Sequence, residues 1–309
     1  MLIVRQLLLP DHTEEPALLD AIEELLPADA ALVTYNGRSF DWPLLVARYR
    51  MHGRPPPPIA DHHDLLPLAR AVWRARLGNA RLSTVEEAVC GVRRHDDLPG
   101  ALIPQRYFDY LRDRHPGRLM AIVEHNRQDI HSLGLLLAAT AKLAGDRSIW
   151  PNAHPVDLGG LGRALARRRR WQEALDCIDA ALTAQAWQRG IVSGGHLWRR
   201  LATDRARLLG RLGRREQQLQ AWLEIARRGG PGAAAAWLHI ARHLEHQRHD
   251  IGGALAACQE AAAAIERARL WGRSAPAVER DLAHRLVRLR RRQQRLSRGI
   301  SGMSSALVA

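Results

Sequence analysis

An α/β domain followed by an all-α domain is the fold class that this chain predicts, and three observations carry it. Short apolar runs alternate with helical patterns through about residue 145, the signature of an α/β sheet domain. Beyond Pro155 the chain turns to Ala, Leu and Arg with no strand signal. The net charge of +14 also divides unevenly: residues 1–150 hold 18 Lys+Arg against 19 Asp+Glu, whereas residues 151–309 hold 28 against 13. The basic field therefore belongs to the second half, where it would attract polyanions in a salt-dependent way. Because Lys142 is the only lysine, an arginine-rich, merely solvated surface is the other reading of that charge.

The elements follow in order. VRQLLLP, residues 4–10, reads as a strand, and Glu14 to Leu26 as a helix with Leu18, Leu19, Ile22, Leu25 and Leu26 on one side. Ala31 to Tyr35 is the next strand, closed by the Asn36-Gly37 turn. A helix over Asp41 to Met51 ends at the run Pro55 to Pro58, which removes donors and extends the backbone. Ile59 to Leu65 is a short strand or extended segment, and helices follow over Leu66 to Arg76, Ser83 to Val89, Gln105 to Arg112 and Arg118 to Leu143. The segment Gly145 to Pro155, with Trp150-Pro151, marks the expected boundary between a domain at 1–145 and one at 146–309.

The second half carries a faint repeat. Leu158, Leu161, Gly162, Leu165, Ala174, Ile178 and Ala181 fall at the small-and-large spacing of a tetratricopeptide helix pair. Leu209, Leu219 and Trp222 echo it, as do Ala254, Leu255, Cys258 and Ala261. Three helix pairs and a terminal basic helix from Pro276 to about Ser297 would form a small α-solenoid; an irregular helical bundle is the alternative. At 309 residues and 46% apolar, the chain can fill two cores. Its three cysteines, Cys90, Cys177 and Cys258, fit neither a disulfide framework nor a zinc site and are expected to be buried, reduced thiols. No apolar run approaches the roughly 18 residues of a membrane span, and MLIVRQLLLP is interrupted by Arg5 and lacks a small-residue cleavage site. No membrane is expected, and the setting is read as cytoplasmic.

Two stretches stand out chemically. In LVTYNGRSFDWPLL, residues 32–45, Asp41 lies just past a strand end, between Phe40 and Trp42 and ahead of Leu44, Leu45 and Val46. An acid there is expected to be poorly solvated and to need a partner or a metal. In EHNRQDIHSLGLLL, residues 124–137, His125 and Asp129 are i and i+4 on an apolar helical pattern and project from one face.

Those stretches resemble the second and third motifs of the DEDD group of 3′–5′ exonucleases, which share the ribonuclease-H-like fold, and resemble one branch, the YprB-type proteins, more closely. That branch's pattern is similar to NGxxFDxPLL, HxDLLxLAR, DDxPGxxIPxxYxxYLR and HNxxDxxSLxxL. Here these read Asn36 to Leu45, His62 to Arg70, Asp96 to Arg112 and His125 to Leu136, in order and over about a hundred residues.

The resemblance implies a ribonuclease-H-like domain with Asp41 and Asp129 as metal-ligand carboxylates and His125 in the proton-handling position. Asn36, Gly37 and Phe40 would lie near the substrate's terminal nucleotide. It implies Mg²⁺ or Mn²⁺ in a two-metal site for phosphodiester hydrolysis, hard ions that several carboxylates hold. The family's first two acids form an Asp-x-Glu on the central strand, and residues 1–41 contain none. The chain begins at what resembles the family's third strand, so an amino-terminally incomplete sheet is expected, with the Ala31 to Tyr35 edge unpaired. Two accounts stand open: a natural product that begins upstream, or a short protein without exonuclease activity.

Blander readings accompany each residue. Asp41 would also cap the helix that it opens, His125 would serve as a hydrogen-bonded structural histidine, and Asn36-Gly37 would be a turn alone. Asp96 and Asp97 would order a loop or add an acid to the site. Asp61, His62, His63 and Asp64 look like a metal cluster, but alternating strand faces would separate them. Trp171, Trp187, Trp198, Trp222, Trp237 and Trp271 would stack on bases or fill a core, and Arg288 to Arg298 would track phosphates or fray in solvent. The expected function is a metal-dependent 3′–5′ exonuclease acting on DNA or RNA, inactive or impaired in this chain for want of the Asp-x-Glu. The alternative is a non-catalytic scaffold whose helical domain binds nucleic acid or a protein partner.

Overall fold

The computed structural model describes residues 3–94, 98–192 and 194–306, so Asp96 and Asp97 lie outside the described residues. The chain divides into two compact units, Met1–Ala164 and Leu165–Ala309.

In the first unit, contrary to the sequence reading, residues 4–10 form no strand and pair with none among the described residues. Residues between Tyr107 and Asn126 take their polar groups instead. Gln6 Nε2 donates to Val123 O at 2.8 Å and to Asn126 Oδ1 at 2.9 Å, while Leu9 O accepts from the Tyr107 hydroxyl and Pro10 O from Arg114. Asp11 then caps a 3₁₀ turn leading into α1 (Glu15–Leu25), which has Pro16 in its first turn.

β1 (Ala31–Thr34) and β2 (Asp61–Asp64) form a two-stranded parallel sheet in which Ala31 faces Asp61 and Thr34 faces Asp64. Parallel pairing needs a crossover, and α2 (Asp41–Met51) supplies it. Tyr49 of α2 is fully buried and donates to Leu19 O of α1 at 2.7 Å. Only four residues of the expected Ile59–Leu65 strand pair, because Asp64 already opens α3 (Leu65–Val72) by accepting from Leu66 N.

The expected Leu66–Arg76 helix resets at the buried Trp73 into α4 (Arg74–Leu77). Next, α5 (Leu82–Val85) widens into a π-helical turn, Glu86–Cys90, closed by Gly91 at φ +70°. α6 (Ile103–Asp113) packs on the 29-residue α7 (Gly117–Gly145), which also packs on the π turn.

α8 (Pro155–Arg167) begins in the first unit. A Cβ on its Gly160 would stand 2.5 Å from Ala71 O, and Arg76 Nε bonds both oxygens of Asp157 at 2.9 and 3.0 Å. The units divide at Ala164 and Leu165, inside this helix and beyond the Gly145–Pro155 segment singled out in the sequence.

The second unit is helical throughout: α9 (Trp171–Thr183), α10 (Gln185–Gln188), α11 (Gly195–Arg211), α12 (Arg215–Arg227), α13 (Ala233–His246), α14 (Ile251–Arg269) and α15 (Pro276–Ala306). α11 packs on α9 and α12, and from α12 onward each helix packs on the next. Leu175, Ile178, Leu201, Leu209 and Ile225 fill the interior, and buried alanines such as Ala174, Ala206, Ala241 and Ala261 let the helices approach closely. Cys177 and Cys258 are buried and Cys90 half-buried, all three as reduced thiols. Among the described residues no helix is long and apolar enough to cross a membrane.

Candidate functional site

The i, i+4 spacing of His125 and Asp129 on α7 does bring them together: His125 Nε2 lies 3.5 Å from Asp129 Oδ2. The other carboxylate oxygen, Oδ1, accepts from Arg94 Nη2 at 2.6 Å. Arg94 comes from the segment after the π turn and also grips Glu86, through Nε to Oε1 and Nη2 to Oε2, the latter at 2.8 Å. Glu86 is sealed from solvent, whereas the Asp129 side chain is 36% exposed. One guanidinium thus bridges a buried and a half-exposed carboxylate. Neither Arg94 nor Glu86 was expected from the sequence; the only local signal was the basic stretch that precedes the Asp-Asp-x-Pro-Gly motif.

Asp41 sits differently from its expectation. It occupies the first turn of α2 and is exposed, as are Phe40 and Leu44 beside it. The reason is that no element covers this face among the described residues, so its apolar neighbours do not desolvate it. Nor does Asp41 cap the helix: Phe40 holds the cap position with no side-chain cap bond. What remains is a favourable place for an anion at a helix amino terminus.

The Asn36-Gly37 corner is a tightly built turn. Asn36 takes the left-handed conformation, φ 75°, and its N–H donates to Asp64 Oδ1 at 2.8 Å. A Cβ on Gly37 would fall 2.5 Å from Thr34 Cβ, so the turn needs glycine for close approach. Arg38 N donates to Asp64 Oδ2 at 3.2 Å, and the Arg38 guanidinium bonds His62 O. His62 is buried, paired with Thr34 Oγ1 at 2.9 Å, and its imidazole is held below the usual range by burial and by Arg38. His63, on the other face of the strand, is exposed. The Asp61–Asp64 run is therefore split as strand alternation requires.

A divalent metal requires converging donors, and the fit is poor. Among the described residues no three His, Cys, Asp or Glu side chains are placed to hold an ion. Asp129 has one oxygen committed to a guanidinium, and the Asp41 carboxylate makes no hydrogen bond or ion pair among the described residues. Asp41 and Asp129 alone do not make a two-metal centre.

In the second unit the tryptophans divide by burial. Trp222 is buried, Trp171, Trp187, Trp198 and Trp237 are half-buried, and Trp271 is exposed. The basic stretch of α15 is not simply solvated. Arg285, Arg288 and Arg292 converge on the buried Glu245 of α13, at 3.1, 2.5 and 3.2 Å.

A parallel βαβ unit followed by a long helix that carries paired His and Asp is the arrangement of a known class. Residues 1–141 match the family model described as RNase_H superfamily, so this region of the chain is ribonuclease-H-like. Among individual proteins, the chain is similar to the uncharacterized protein YprB of Bacillus subtilis (strain 168), at 30% identity over 261 residues. That alignment covers 83% of this chain and 60% of YprB, so the chain spans less than two thirds of this relative's length. No solved structure matches the chain.

Proposed function

We propose that the first unit is of the 3′–5′ exonuclease type and is directed to nucleic acid, DNA or RNA, and that the residues of this chain leave it catalytically impaired. The observation that carries the reading is the His125–Asp129 pair on α7, in the position that the resembled motif gives to its proton-handling residue and last acid. Impairment follows from Arg94, whose guanidinium already engages Asp129, one of the two carboxylates that the resembled motifs supply here. Asn36, Gly37 and Phe40 would border the bound strand end, and the setting would be cytoplasmic.

A second reading is favoured by the same guanidinium. With Arg94 on Asp129, the unit can serve as a non-catalytic scaffold, and a tetratricopeptide-like stacking of α9–α15 would supply the binding surface.

Degradation of end-labelled single-stranded DNA and RNA with Mn²⁺ separates the two. Weak turnover that rises with Mn²⁺ and disappears in Asp129→Asn is expected from an impaired exonuclease. Salt-sensitive binding with no Mn²⁺-dependent product, equal in wild type and Asp129→Asn, would replace the first reading with the scaffold.

A further inference from the structure

A cleft of about 740 Å³ opens in the second unit among α11, α12 and α13. Its wall presents Arg207, Arg211, Arg215, Arg242, Trp222 and His243. These groups are rich in donors, and two polar atoms, the Trp222 Nε1 donor and His243 Nε2, whose role depends on the tautomer, are buried without a hydrogen-bond partner. Both residues are more than nine-tenths buried. A buried donor left unpaired is costly and rare in folded proteins, and an indole N–H can only donate, so its missing partner must be an acceptor. Trp222 is held in place by stacking on His239, with ring centres 4.1 Å apart and planes 6° apart.

The cations are also underused. The guanidinium groups of Arg207 and Arg211 make no hydrogen bond or ion pair among the described residues, although that of Arg211 stands 5.9 Å from the Trp171 ring centre, and Asp281 offers Arg242 a carboxylate oxygen only at 4.0 Å. The one acid near the orphaned imidazole, Glu216, stands 3.9 Å from His243 Nε2 and is already bonded to Arg248 at 2.7 Å. A cleft with surplus guanidinium and an orphaned indole donor matches an anion with several acceptor oxygens, and guanidinium forks suit phosphate in particular. The volume exceeds what a bare phosphate would fill and leaves room for an attached nucleoside.

We propose that this cleft binds the phosphate groups of a nucleotide, free or within a nucleic-acid strand. The inference deepens the reading of the chain as nucleic-acid-directed, but it uses none of the residues around Asp129.

The test uses the full chain at low salt, with calorimetric titration of adenosine diphosphate and anisotropy of a labelled single-stranded oligonucleotide. The variants are Arg207→Gln/Arg242→Gln, whose side chains are exposed, and Trp222→Phe, which keeps a ring but removes the N–H. Arg112→Gln, in the first unit, is the control. Each cleft variant is expected to weaken binding by about tenfold or more, the size of one lost charge-assisted hydrogen bond, while Arg112→Gln does not. Trp222→Phe also removes ring volume from a buried position and is expected to lower the melting temperature of the ligand-free chain, so its binding is read at a temperature where circular dichroism shows the variant folded. Binding of the diphosphate identifies a free-nucleotide site, and binding of the oligonucleotide alone identifies a strand site. No binding of either probe, or binding unchanged in both cleft variants, overturns the proposal. Intact cleft-dependent binding without any Mn²⁺-dependent cleavage would remove only the exonuclease reading.

Discussion

Glu86 in the first unit and Glu245 in the second are both sealed from solvent and both held by arginine, but the stoichiometry is inverted. Arg94 divides one guanidinium between two carboxylates, Glu86 and Asp129, whereas Glu245 alone receives Arg285, Arg288 and Arg292. The first cluster is short of positive charge and the second has it in excess. A site short of positive charge recruits cations, and one with a surplus recruits anions. The first unit thus has an acid-rich corner at α7, and the second a cation-rich surface on α15.

The largest effect that can break this comparison is at Arg94. Its side chain is 8% exposed and Glu86 is its fully buried partner. Arg94→Met would leave Glu86 charged and uncompensated, at a cost of about 3–5 kcal/mol. Denaturant unfolding of Arg94→Met should show that loss, and Glu86→Gln combined with Arg94→Met should recover much of it, because the buried charge goes with its partner. A loss below about 1 kcal/mol in the single variant would mean that the bridge does not hold the π turn to α7.

The matching substitution in the second unit should cost less. In Arg285→Met, Glu245 keeps Arg288 and Arg292, so a loss of about 1–2 kcal/mol is expected. The same acid gives the unit a pH signature. Burial pushes the Glu245 carboxyl up, but the Arg288 hydrogen bond and the charges of Arg288, His246 and Arg285 outweigh it, and the net shift is down from 4.5. A depressed folded value means that the stabilisation is full above 4.5 and is lost as pH falls through the lower folded value. Melting curves of Glu245→Gln should therefore be flatter in this acid window than those of the wild type. Parallel curves would show that the three arginines do not act through the charge of Glu245.

What the sequence disclosed divides along the same line between local and distant contacts. The helix over Asp41–Met51 was legible to the residue, and the His125–Asp129 pair followed from i, i+4 spacing alone. The 4–10 segment was misread as a strand because its apolar run fits one, while its carbonyls are taken by Tyr107 and Arg114 from about a hundred residues away. Arg94 meets Asp129 across 35 residues of sequence, and no spacing rule reports such a contact. Periodicity places a residue on a face. It does not say which face of another element, if any, will cover it, and for that reason Asp41 was expected to be buried and is exposed.

The smallest effect, and the one that sharpens the comparison most, concerns His239 in the cleft. Burial, together with the charges of Arg242 on α13, Arg207 on α11 and Arg285 on α15, lowers its imidazole from 6.5 to about 4, with Asp281 on α15 opposing. The ring is therefore neutral at pH 7. As pH falls below 6.5 the unfolded chain takes up this proton first, so stability declines from there toward 4. A phosphate seated against Arg207 and Arg242 would cancel the field that excludes the proton. The His239 imidazole, followed by NMR titration, should then move up from about 4 when adenosine diphosphate is added, and the move should vanish in Arg207→Gln/Arg242→Gln. Glu245, whose field comes from arginines on α15, should keep its titration through both experiments. A shift of both groups together would mean that the ligand alters the whole unit, and a shift of neither would mean that no anion enters the cleft.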